Sequence, residues 1–131
     1  MSIKELLANF LTFNTSYDEL KASLWKEGRG WPRLPDGEIE IVKAQDVICA
    51  IIMFKSGEIS QVELLDWVNT LWFSDLFDYA DEQCDSIASV MTELETLDED
   101  GACYSLHDFD QMIAALKSNR EYCKLGIKKT D

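Results

Sequence analysis

The chain has 131 residues and carries 12 Lys and Arg against 25 Asp and Glu, a formal net charge of −13 at neutral pH. That balance excludes direct binding to nucleic-acid phosphates or anionic membranes, because both recruit proteins through a cationic footprint. The length fits a single domain, residues 1–131, that buries roughly two thirds of its unfolded surface without metals or disulfides, and no stretch approaches the ~18 consecutive apolar residues of a membrane span.

Apolar periodicity and capping signals divide the chain into about six helices, an all-α bundle with room for a short two-stranded element. Ser2 and Glu5 form a capping box ahead of Ile3, Leu6, Leu7, Phe10, Leu11 and Phe13, whose spacings of three and four share one helical face. Ser16 and Glu19 repeat the box before Tyr17, Leu20, Leu24 and Trp25, and Gly28 offers a stop. Arg29 to Gly37 holds two prolines and a Pro-Asp-Gly turn, so it reads as a loop. Trp31 within it fits a ring folded back onto the core better than a partner contact. Glu38 to Val42 alternates like a strand and equally suits a lead into the next helix; the strand's expected partner is the tail.

Ala44 to Lys55 is apolar on nearly every face, the pattern of a helix at the centre of a bundle. Ser56-Gly57 ends it, and Ser60 with Glu63 opens a fourth helix whose buried face is Leu64, Leu65, Val68, Leu71 and Trp72. Trp67 falls on its flank, and Asp66, Asn69 and Thr70 point to solvent. Ser74 to Asp81 mixes aromatics and acids without helical period and reads as a connecting loop. A fifth helix spans about Glu82 to Leu97, with Cys84, Ile87, Val90, Met91, Leu94 and Leu97 inward. The Asp98-Glu-Asp-Gly101 run ends it, and Ser105 with Asp108 caps a sixth built on Leu106, Phe109, Met112, Ile113 and Leu116. Residues 118–131 form a basic tail that suits an edge strand, a docked segment or a disordered end.

Charge is segregated along this frame. Between Lys55 and Lys117 lie 61 residues with no Lys or Arg and 15 carboxylates, while the cations sit before and after the block. Unpaired like charges repel one another and destabilise a compact domain, so a fold that carries them suits a positively charged partner, including a protein that itself binds nucleic acid.

Other chemistry is thinly represented. The Asp98 to Gly101 run fails as a calcium loop, since placing Gly101 at loop position six puts Thr96 and His107 at positions one and twelve. His107 is the only histidine, and Cys49, Cys84, Cys103 and Cys123 form no C-x-x-C pair, so neither a metal nor another cofactor is expected. Reduced thiols in a cytoplasmic protein fit the absence of an export signal, with Cys49 and Cys84 as small buried hydrophobes, although four cysteines leave room for two disulfides. The paired carboxylates look solvated and lack the environment that shifts a catalytic pKa, so no enzymatic site is read.

The stretch from Trp67 to Asp85 combines rings and acids, the composition of an interface in which aromatics anchor and carboxylates steer. The surface expected to meet a partner is Trp67, Asp75, Asp78, Tyr79, Asp81, Glu82 and Asp85; Trp72, Phe73 and Phe77, taken singly, fit the core.

One connected pattern runs from Ala44 to Lys117: an apolar helix ending Phe54-Lys-Ser-Gly-Glu-Ile-Ser60, a helix with Leu65-Asp-Trp67, an acidic connector, Ile87 through Glu93-Leu94-Glu95, and a final helix from Ser105-Leu106 to Ala115-Leu116. It resembles a helical family of bacterial immunity proteins that neutralise polymorphic, colicin-like or contact-dependent growth-inhibition toxins. The resemblance implies a cytoplasmic, non-enzymatic inhibitor whose partner is a cognate toxin domain, often a basic nuclease. The competing reading is an acidic adaptor or nucleic-acid-mimic module that regulates another basic protein.

Overall fold

The computed structural model describes residues 2–99 and 104–122. The described residues form six α-helices and a two-stranded parallel sheet, in the order α1 (Ile3–Leu11), α2 (Tyr17–Leu24), β1 (Glu40–Val42), α3 (Ala44–Lys55), α4 (Gln61–Phe73), β2 (Phe77–Tyr79), α5 (Cys84–Leu94) and α6 (Leu106–Lys117). Three of the four predicted capping boxes form in full; at α1 the Ser2 hydroxyl accepts from Glu5 N–H, but the Glu5 carboxylate accepts from the Ser2 hydroxyl at 3.3 Å in place of the cap N–H. The hydroxyls of Ser16, Ser60 and Ser105 accept from the backbone N–H three residues on, and Glu19, Glu63 and Asp108 reach back to the cap N–H. Each box satisfies two of the N–H groups that a helix start leaves without a partner.

Stops are equally local. Gly57 (φ 82°) and Asn119 (φ 54°) take the left-handed conformation just past α3 and α6, and the reversed chain closes Glu58 N–H to Met53 C=O (2.9 Å) and Arg120 N–H to Ala115 C=O (2.9 Å). Phe13 does the same past α1 with φ 65°, at a steric cost that glycine would not incur. Its ring stacks on Trp67 with centroids 5.4 Å apart, a contact that offsets the strain and ties the α1–α2 corner to α4.

Packing follows from which helices are apolar on more than one side. α3 lies along α6 and also touches α4 and α5, while α4 is flanked by α2, α3, α5 and β2. Ile51, Leu64, Val68, Ile87, Met91, Leu94 and Met112 have no exposed surface and form the centre of one continuous core. The central position is thus shared: α3 leaves Cys49 and Ile52 on the surface, and α4 buries Trp67 and Thr70. Expectations that put Trp67 on a flank, Thr70 in solvent and Cys49 in the core are corrected, because α4 has neighbours on more sides than one apolar stripe suggests. Buried Thr70 is satisfied by donating to Asp66 C=O at 2.6 Å.

The region read as a loop before α5 contains β2, and β1 pairs with it in parallel (Glu40↔Phe77, Ile41↔Asp78, Val42↔Tyr79); the tail expected as its partner lies outside the described residues from 123 on. Parallel strands need a crossover connection, and here α3 and α4 together supply it. A 3-10 turn at Asp81–Gln83 follows, so α5 begins at Cys84 with that thiol exposed, and it ends at Leu94, before the expected Leu97. Gln83 spans two elements: its Oε1 accepts from Ala44 N–H at 2.9 Å, satisfying the first turn of α3. Asn119 Nδ2 donates to Glu82 C=O at 2.7 Å, and Ser86 Oγ to Ala115 C=O at 3.3 Å, so the end of α6 fixes the start of α5. Leu106, expected inward, is 64% exposed on the first turn of α6. Trp31 does fold back, packing against the core and edge-on to Trp25 at 5.1 Å. Gly101, Cys103, Cys123 and the tail from 123 lie outside the described residues.

Candidate protein-docking surface

The segment joining α4 to α5 is held by its apolar members and displays its acids. Leu76 and Phe77 are buried, and Ser74 is buried with its Oγ accepting from Leu76 N–H at 3.2 Å, which bends the chain out of α4. Asp75 adopts φ 61° at this bend and is exposed. In β2 the period-two alternation turns Phe77 inward and Asp78 outward, beside half-exposed Ile41 of β1. Asp78 Oδ1 accepts from Tyr79 N–H at 2.9 Å, occupying a donor on the free edge of the strand.

Asp81 and Glu82 are exposed in the 3-10 turn, and Asp85 is exposed in the first turn of α5. The structure therefore brings Asp75, Asp78, Asp81, Glu82 and Asp85 onto one outward-facing stretch of chain. None of the five forms an ion pair among the described residues; Lys55, at the border of the cation-free block, pairs with Asp110, and Lys4 pairs with Glu40 at 3.6 Å. Glu82 and Asp85 lie three apart on adjacent helical turns, where two carboxylates ~6 Å apart in water repel by ~0.7 kcal/mol.

The two aromatic residues expected in this surface are placed otherwise. Trp67 is 1% exposed and cannot touch a partner while the fold is intact. Its indole N–H has no hydrogen-bond partner among the described residues, a cost the ring's packing covers. Tyr79 is half-buried, with its ring edge-on to Trp72 at 5.6 Å and its hydroxyl donating to Leu71 C=O at 2.7 Å, a staple between β2 and α4. Burial, with Asp78 and then Cys84 adding to it, pushes the Tyr79 phenol well above its ordinary value of 10.

The ring that is available is Phe73, on the last turn of α4 and 66% exposed, where the core had been expected. The signal was present in the sequence. Val62, Asp66, Asn69 and Phe73 are spaced four, three and four apart, so a helix with Asp66 and Asn69 outward must also turn Phe73 outward. Val62, at the other end of that line, is 68% exposed. Burial, followed by the Asp18 carboxylate, raises the Asp66 pKa, and Lys21 opposes this, which sets α2 beside the same line.

An open groove of about 430 Å³ borders this surface at Ile41, between α1, β1 and the start of α3, with Leu11 and Asp46 also on its walls. Asp46 is committed to capping α3, accepting from Lys43 N–H at 2.9 Å, and burial raises its pKa above the usual 3.8. No group of three or more His, Cys, Asp or Glu among the described residues is arranged to hold a metal ion, and no helix among them is long and apolar enough to cross a membrane. No family model, curated protein or solved structure matches the chain.

Proposed function

We propose that this chain is a cytoplasmic, non-enzymatic immunity protein of bacterial competition systems, which binds a cognate toxin domain, a basic nuclease, and covers its active or substrate-binding site. The observation that carries this reading is the exposed set Asp75, Asp78, Asp81, Glu82 and Asp85, none in an ion pair among the described residues, within a 61-residue span free of Lys and Arg. A nuclease holds its substrate through cations aimed at phosphates. Carboxylates fixed on a folded surface meet the same cations, and their mutual repulsion is relieved when the partner neutralises them. Folding has already ordered the connector through Ser74, Leu76 and Tyr79, so less ordering entropy is lost on binding.

The test is genetic. The domain encoded at the C-terminus of the gene immediately upstream is induced in a susceptible host with or without this chain. Restored growth with this chain, and killing without it, is the expected result. Killing in both cultures, with the chain present at equal or higher abundance, contradicts the proposal; a basic protein bound without protection from any toxin shifts the assignment to an acidic adaptor.

A further inference from the structure

The geometry points to Phe73 as the apolar anchor of the docking surface, inserted into a pocket on a cationic partner, with Val62 marking the other end of the same contact line on α4. This rests on the reading that the partner is a toxin domain, and it names the part of the surface where binding energy concentrates.

Phe73 and Val62 are 66% and 68% exposed, the two most exposed large hydrophobic side chains among the described residues. They stand eleven residues apart on one helix, about three turns or ~16 Å, and so share a face. Single exposed hydrophobics need no explanation. Two on one line, with Asp66 and Asn69 between them, Lys21 of α2 facing Asp66, and Asp75 and Asp78 beyond Phe73, make an apolar contact whose rim at the Phe73 end is acidic. That is the arrangement in which a buried ring supplies affinity and the charged rim supplies register.

The charge of the rim selects the occupant. A second copy of this chain, itself at −13, would bring like charges together around Phe73. An anionic bilayer is repelled for the same reason. A cationic protein surface satisfies both the ring and the rim. About two thirds of a phenylalanine's surface is roughly 130 Å², and burying it is sufficient at the usual transfer coefficient for more than a tenfold effect on affinity.

The probe is the catalytically inactivated C-terminal domain of the upstream gene product, titrated calorimetrically against the full chain. Phe73→Ala is expected to raise Kd at least ~10-fold, a loss of ~1.4 kcal/mol, with an unchanged melting temperature. Ile52→Ala, on the outer face of α3, is the control and should stay within ~2-fold, inside the range of near-neutral contacts. If Phe73→Ala disturbs the fold, Phe73→Gln is read in its place. Tight binding by the unmutated chain with less than a 10-fold effect at Phe73 overturns this inference and leaves the immunity reading in place. No binding by the unmutated chain overturns the immunity reading and this inference with it.

Discussion

Reversing Asp78, Asp81 and Asp85 together to Lys changes the local charge by six units and moves the net charge from −13 to −7. All three side chains are exposed, and none is in an ion pair among the described residues, so the fold should tolerate the change. At ~10 Å two unit charges in water interact by ~0.4 kcal/mol. Screening leaves roughly 0.7 of that at 0.01 M salt and 0.3 at 0.15 M. Against one partner cation at ~10 Å from all three positions, six units amount to ~1.8 kcal/mol at low salt and ~0.7 kcal/mol at physiological salt. The association rate should therefore fall about 20-fold in 0.01 M salt and about 3-fold in 0.15 M, within the usual range of electrostatic steering. Stopped-flow mixing with the toxin domain across that salt range reads both values. Changing Glu95 and Asp98 to Lys, beyond the far end of α5, should have the smaller effect. Steering by these carboxylates is refuted if the triple variant associates at the unmutated rate in low salt, or if the Glu95 and Asp98 variant is the slower one.

Three further outcomes test the framework that holds the surface in place. Ile51→Ala removes a fully buried side chain from α3 and should cost ~2–5 kcal/mol in a denaturant melt; a loss below ~0.5 kcal/mol contradicts its placement. Trp67→Ala should cost ~3–5 kcal/mol, whereas Trp67→Phe, which also removes the unsatisfied indole N–H, should stay within ~1.5 kcal/mol because the relieved desolvation offsets lost area. Equal losses in the two would show that the N–H is paired. The Tyr79 phenol is raised when folded, so the folded state holds its proton after the unfolded chain has released it at about 10. Stability from this group is complete below that value and declines as pH rises above it. Absorbance titration should show Tyr79 ionising later in the folded protein than in guanidinium, with Tyr104, also raised by burial, lagging too; Tyr79 ionising at the same pH in both would refute the staple.

Much of the framework was legible because it is local. Helix starts at Ser16, Ser60 and Ser105 depend on residues within one turn, and the core faces of α5 and α6 depend on a period that the sequence states directly. What escaped depends on neighbours distant in the chain. β2 is three residues long and exists because β1 lies beside it. Trp67 is buried because the α1–α2 corner brings Phe13 over its ring, and no spacing within α4 announces that contact. Cys49 and Ile52 are exposed because no element among the described residues packs on that side of α3, although its composition suits burial all round. In the site, the acids were legible from charge alone, since nothing in the core could accept them. Among the aromatics position decides over residue type: Phe73 shares its line with Asp66 and Asn69, and that line faces outward.

As proposed, this acidic surface would occupy the site through which a nuclease holds its substrate. The direct measurement is competition: labelled nucleic acid bound to the catalytically inactivated toxin domain, titrated with this chain and followed by fluorescence anisotropy in low salt. Complete displacement is expected at one equivalent of this chain, with the triple Lys variant needing a large excess. A ternary complex that retains the nucleic acid at saturating chain, or no binding at all, would contradict it.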